Sequence, residues 1–298
     1  MYFCTGHPHG KPKSNFMKKI FAAFLLLCLS ISATNVLAGK RDSTTNYSTR
    51  KHQLYFYWGW NRGFYSKSDI HFTGENYNFT LKDVVAQDRQ TAIGADPYLQ
   101  PGKITIPQTD IRIGFYINDH WEISLGDDHM KYVMVQNQVV NIDGYISQTG
   151  TTYDGTYSDD EIALTKDFLI YEHTDGLNYL NLEVRRSDNI SKYLRLKPGS
   201  ILQVHTLGGL GAGIIYPRTN CTLLNNERHD EFHVAGYGIA PVAGINLTFF
   251  RHLMIQGELK GGFINLPDVR TTSSTADKAK QHFWFFESLI SVGACFQL

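Results

Sequence analysis

The sequence predicts an all-β fold, a single antiparallel up-and-down transmembrane β-barrel of about eight strands with long extracellular loops. Three observations predict it. In the last stretch, Phe283 to Leu298, the alternate residues Trp284, Phe286, Ile290, Val292, Ala294, Phe296 and Leu298 are apolar, with Ser288 the one polar member of that face. A period of two is the signature of a strand, and an apolar face that runs to the chain end suits contact with lipid. After the amino-terminal region no apolar run is long enough for a spanning helix, so a membrane form of this chain has to cross with strands. Long polar connections also alternate with short turns, as the two ends of such a barrel require.

Taken in order, Met17 opens a signal-type segment: Lys18 and Lys19, the apolar run Ile20 to Ile31, then Val36-Leu37-Ala38 as a cleavage site. Residues 17–38 are therefore expected to be a Sec-type signal peptide, and residues 1–16 an incorrectly assigned start. Residues 39–51 are a polar leader, and residues 52–298 form the barrel. The charged residues of the first 38 are Lys11, Lys13, Lys18 and Lys19, so the formally neutral chain becomes acidic once they are removed. No basic surface points to a nucleic-acid partner.

Strand one is Gln53 to Tyr65, with Leu54, Phe56, Trp58 and Trp60 on one face. Ser66 to Lys103 reads as a long polar outer loop. Strand two is Ile104 to Ile117, and Asn118-Asp119-His120 is a tight turn. Strand three, Trp121 to Met134, alternates cleanly until Asp127-Asp128, where a bulge is expected. Gln136 to Asp175 is a second long loop. Strands four to seven are Leu177–Arg186, Ile201–Tyr216, Phe232–Phe250 and Leu253–Leu266, before the closing strand. The closing strand must pair with the first. The inward positions hold Asp110, Arg112, Glu122, Glu183, Arg185, Glu258, Lys260 and Glu287, and a small lumen packs such side chains into a hydrogen-bonded ladder. Cys221 and Cys295 fall at opposite ends and are not expected to bridge.

Chemistry-bearing residues gather where strands one, three and four meet the outer loops. They include Asp69, then His129 and Lys131, then His173, Asp175 and Asn178. Histidines with carboxylates would either bind a divalent metal or act as acid and base, and cations there would hold lipid phosphates. The competing reading is a solvated rim. The glycines 208, 209, 211 and 213 fit a close-packed strand, since no strand-to-helix turn follows.

The stretches SDIHFTGENYNFTLKDV (68–84), IRIGFYINDHWEISLGDDHMKYV (111–133), EHTDGLNYLNLEVRR (172–186) and GAGIIYPR (211–218) together resemble a family of OmpA-like outer-membrane barrels that includes bacterial lipid A oxidases. The resemblance implies oxygen-dependent conversion of the proximal glucosamine of lipid A to an aminogluconate unit, with molecular oxygen as co-substrate. The matching positions are Asp69, His129, Lys131, Asp175, Gly176 and Asn178. Asp127-Asp128 replaces an aromatic-Thr pair of the relatives, and His173 stands where an aromatic is common. Expected partners are outer-membrane lipids and lipopolysaccharide, the expected state is a monomer, and the expected location is the bacterial outer membrane. Two further readings stand beside the enzyme: a non-catalytic barrel that is structural or binds a surface ligand, and a soluble lipocalin-like barrel with its apolar faces turned inward.

Overall fold

The computed structural model describes residues 49–91, 95–98, 103 and 107–298. The expected start segment, the signal peptide, the leader up to residue 48 and the opening of strand two, Ile104 to Ile106, lie outside the described residues. The strands are β1 Gln53–Tyr65, β2 Ser68–Thr73, β3 Tyr77–Val84, β4 Ala86–Gln87, β5 Thr109–Tyr116, β6 Trp121–Met134 and β7 Val139–Ile146. They continue as β8 Gly155–Ala163, β9 Leu169–Asn189, β10 Leu202–Pro217, β11 Asn220–Leu223, β12 Gly236–Phe249, β13 Leu253–Arg270 and β14 Lys278–Gln297.

Eight of them close a ring in the order β1-β5-β6-β9-β10-β12-β13-β14, and β14 pairs back onto β1 antiparallel from Gln53↔Gln297 to Tyr65↔Phe285. The alternation of each strand sets its two faces. Outside, Phe56, Ile111, Ile113, Leu125, Leu180, Leu182, Ile239, Trp284, Ile290 and Phe296 are exposed apolar residues, which only a lipid surround makes favourable. Inside, Arg185 joins Glu183 and Glu258 (2.7 Å to the latter), Arg112 reaches Glu183 at 2.8 Å, and Lys260 bonds Asp128 and Glu183. These charges are paired because an unpaired buried ion costs several kcal/mol, roughly the stability of a domain. Of the eight expected members, Arg112, Glu122, Glu183, Arg185, Glu258 and Lys260 join this ladder, with Asp128 as a further member, while Asp110 and Glu287 point inward but form no ion pair in it. A soluble lipocalin-like arrangement is overturned, because the apolar faces point outward and the charges inward.

The leader's end is not loose. Arg50 is buried beneath the lumen and donates to Tyr116 Oη (2.7 Å), Ser187 Oγ (3.0 Å), Asn246 Oδ1 (2.7 Å), Thr248 Oγ1 (2.8 Å) and His205 Nδ1 (2.9 Å). It closes the end of the barrel that carries the termini and the short turns.

At the other end, much of what reads as loop is strand. Ser66 to Lys103 contains β2, β3 and β4, and Gln136 to Asp175 contains β7, β8 and the first residues of β9. A sheet β2-β3-β7-β8 hangs from the top of β14 through Ala279↔Phe72. β4 adds to β6 and β11 adds to β9. Ile70, Phe72, Phe79, Leu81, Ile142, Phe168 and Leu169 pack there into one apolar core with Met130, Tyr132, Tyr171 and Phe283. Alternation supplies it: Ile70 and Phe72 point in while Asp69 and His71 point out. The barrel therefore carries a packed extracellular module whose floor covers the charged lumen.

The bulge expected at Asp127-Asp128 is elsewhere. Asp110↔Asp128 and Ile111↔Asp127 continue the register of β5 and β6 without a break, because Asp128 finds Lys260 and Asn181 inside. The β6–β9 register shifts instead between Met130 and Tyr132, opposite Gly176, whose φ of +124° suits a residue without Cβ.

Candidate functional site at the outer rim

On β6 and β9 the apolar belt ends early. Leu125 and Leu180 are its last exposed apolar members, and Asp127, His129 and Asn178 follow them on the outward face. Residues 130–134 of β6 and 169–177 of β9 stand clear of the belt. His129 lies directly opposite Asn178 in the ladder, and its Nδ1 is 2.7 Å from Asn178 Oδ1. Asn178 Nδ2 donates to the carbonyl of Tyr216 at 3.0 Å, which fixes which end of the amide faces the imidazole. An amide oxygen only accepts, so His129 carries its proton on Nδ1, and in the neutral ring Nε2 keeps the lone pair.

Asp175 is exposed on the bulge beside this pair, and Arg218 Nη1 approaches it at 3.2 Å. Arg218 also meets Asp230 at 3.4 Å and lies 5.8 Å from the centre of the Phe232 ring. Lys131 is buried, and burial lowers its pKa, opposed by Asp88 and Asp175 and assisted by Arg89. A Cβ added at Gly176 would collide with the Asn178 side chain, so the glycine is what admits Asn178 to His129. Further along the same two strands, a cavity of 240 Å³ is lined by Arg89, Gln136, Lys166, Tyr171, Glu172 and Asn220. There Arg89 forks onto Glu172 at 2.7 and 3.3 Å.

Of the six expected site residues, His129, Asp175 and Asn178 come together on this outward face, and Lys131 is near enough to act on His129 and Asp175 but is itself buried. His173 does not: it points into the module core, fully buried, with Nδ1 2.9 Å from Thr219 Oγ1 and the rings of Tyr132 and Tyr171 beside it. Burial pushes its pKa down to about 3. Asp69 does not either. It sits on β2, where its carboxylate accepts the Asp83 amide at 2.9 Å and braces a strand irregularity. A divalent metal expected at the rim finds no set of three ligands there among the described residues. Sets of three converging His, Cys, Asp or Glu atoms reduce to Asp110, Asp128 and Glu287, inside the barrel. Arg218, Asp88 and Arg89 escape sequence reasoning, since only folding carries them to β6 and β9; Arg218 does end the stretch GAGIIYPR.

The class that fold and site define is an outer-membrane-type β-barrel with a polar rim site. No family model matches the chain, and no curated protein does. Among solved structures it is similar to OprG of Pseudomonas aeruginosa, at 11% identity, with 85% of this chain and 100% of that one covered and a TM-score of 0.37. It is similar to Ail of Yersinia pestis in complex with the heparin analogue sucrose octasulfate, at 9% identity, 83% and 99% coverage and a TM-score of 0.29. The outer-membrane protease OmpT of Escherichia coli gives 9% identity, 85% and 99% coverage and a TM-score of 0.30.

Proposed function

We propose that the protein is an outer-membrane barrel of a Gram-negative envelope, delivered by its signal peptide, that holds outer-leaflet lipopolysaccharide against its rim. The observation that carries this reading is the early end of the apolar belt on β6 and β9, where His129, Asp175, Asn178 and Arg218 face outward above Leu125 and Leu180 and Lys131 lies buried beside them. That is the height of lipid headgroups. Guanidinium and ammonium groups there suit phosphate, and the carboxylates suit sugar hydroxyls. The lumen is filled by its own charges, so binding at the wall is favoured over passage through it. The test is lipopolysaccharide co-purified with the protein in mild detergent. The double variant Lys131→Ala/Arg218→Ala is expected to retain several-fold less, and an unchanged amount sinks the reading.

A second reading is chemical. The His129–Asn178 pair presents an oriented basic nitrogen, as a proton acceptor acting on a lipid sugar requires. In the oxidase-like form molecular oxygen would be the co-substrate, and Lys131 and Asp175 would position the sugar phosphate and its hydroxyls. Mass spectrometry of lipid A from cells with the wild-type gene, the His129→Ala gene and no gene decides it. A species found only with the wild type supports it, and identical spectra leave the binding role alone.

A further inference from the structure

The lumen holds a second polar cluster that neither the ladder nor the rim explains. Asp110 on β5 and Asp128 on β6 are cross-strand partners, and Glu287 on β14 lies opposite Lys260. Oxygens of the three carboxylates all lie within 4.8 Å of one another, and the three residues are 1%, 1% and 0% exposed. Asp128 is satisfied by Lys260 and by Asn181 Nδ2 at 2.9 Å. Asp110 Oδ1 accepts Asn61 Nδ2 at 2.9 Å. Asp110 Oδ2, both oxygens of Glu287 and Asn61 Oδ1 accept nothing.

Ionised carboxylates are acceptors with no proton to give, so they cannot satisfy one another. Like charges this close in a low-dielectric interior repel strongly. Lys260 is within reach, but its ammonium is engaged by Asp128 and Glu183. Around the lumen wall, carboxylates outnumber cations: Arg112, Arg185 and Lys260 are the cations of the wall among the described residues, and Arg50 closes its far end. What the cluster lacks is positive charge that accepts several oxygen ligands at once.

We propose that Asp110, Glu287 and Asn61, backed by Asp128, hold a hard divalent cation of the Ca²⁺, Mg²⁺ or Mn²⁺ class inside the barrel. Such ions take oxygen ligands at about 2.0–2.6 Å, so oxygens around one ion stand up to roughly 5 Å apart. The set contains no histidine or thiolate, which disfavours zinc and copper. The ion joins β5 and β6 to β14 and Asn61 of β1, across the seam where the ring closes. It acts as a structural pin placed under the extracellular module, independent of the rim site.

The experiment uses the full barrel refolded in detergent with Ca²⁺, Mg²⁺ or Mn²⁺ in separate samples, desalted, and assayed for metal per protein. About one equivalent of at least one ion is expected to remain. Glu287→Gln and Asp110→Asn are expected to lose it, while Asp159→Asn/Asp160→Asn, in the exposed acidic hairpin, keeps it. Wild-type protein refolded with that ion should melt several degrees higher than protein refolded with chelator, a readout that does not depend on any variant folding. The proposal is overturned if wild type retains no metal and melts alike in both buffers, which would leave shared protons as the neutralising charge. It is equally overturned if Glu287→Gln retains as much metal as wild type, or if the Asp159/Asp160 variant is the one that loses it.

Discussion

His173 gives the extracellular module a built-in acid sensitivity. The imidazole is fully buried between Tyr132 and Tyr171, and burial holds its pKa near 3 against an ordinary value of 6.5. The folded chain therefore keeps the ring neutral, while an unfolded chain takes up a proton once the pH falls below 6.5. Between those limits the unfolded state binds more protons, so stability is whole above pH 6.5 and drains away as the pH falls toward 3. At about 1.4 kcal/mol for each tenfold change in proton concentration, the loss is about 2 kcal/mol at pH 5 and at most about 5 kcal/mol at pH 3. The perturbation is His173→Gln, which removes the titrating ring and keeps an amide to reach Thr219. The assay is urea unfolding in detergent micelles at pH 7, 6 and 5, for the variant and the wild type. The difference between their pH slopes isolates His173 from the other carboxylates and histidines. Wild type should lose about 2 kcal/mol more than the variant between pH 7 and pH 5. Parallel slopes would refute the reasoning, since they would mean that position 173 takes up no extra proton on unfolding.

Gly176→Ala puts a Cβ into Asn178 at a positive φ, and is expected to cost about 1–3 kcal/mol and to lower rim-bound lipopolysaccharide, read by melting temperature and co-purification. Arg185→Met leaves Glu183 and Glu258 buried without their shared partner, and should cost about 3–5 kcal/mol in detergent refolding yields and urea midpoints. Ile290→Arg places a charge on the lipid face, and should destabilise by about 2–4 kcal/mol in lipid vesicles if the site is near mid-bilayer. Cys221 and Cys295 are both buried and unpaired, and burial raises the Cys221 thiol to about 12, so labelling by a maleimide should be slow until urea unfolds the protein, with no change on non-reducing gels.

The ring was legible because each of its strands turns one face to lipid and one to a charged lumen, and that contrast repeats every second residue. Trp284, Ile290 and Phe296 against Glu287 is enough to orient β14. The module was misread although its signal has the same period. Ile70 and Phe72, or Phe79 and Leu81, alternate with Asp69, His71 and Thr80, yet such short segments of mixed polarity look like loop until their partners are known. Their pairing to β14 and β7 joins residues far apart in sequence, which no local pattern records. The same distance hides Arg218 from Asp175. For His129 and Asn178 the residue types were visible but not their register, which depends on the bulge at Gly176. His173 was misplaced because two spare residues on β9 around that bulge decide which side chains point inward, and Asp128 because the alternation runs unbroken through a pair that reads as an interruption.

The central claim is a closed cylinder with oil-loving residues outside and ionised ones within. Gel mobility in SDS with and without boiling measures it most directly. The protein extracted with detergent should run as a compact, faster band unheated and shift to its full apparent mass on boiling, while Glu258→Lys, which breaks the pairing with Arg185, should weaken the faster band. A single unshifted band from protein that dissolves without detergent would contradict the account.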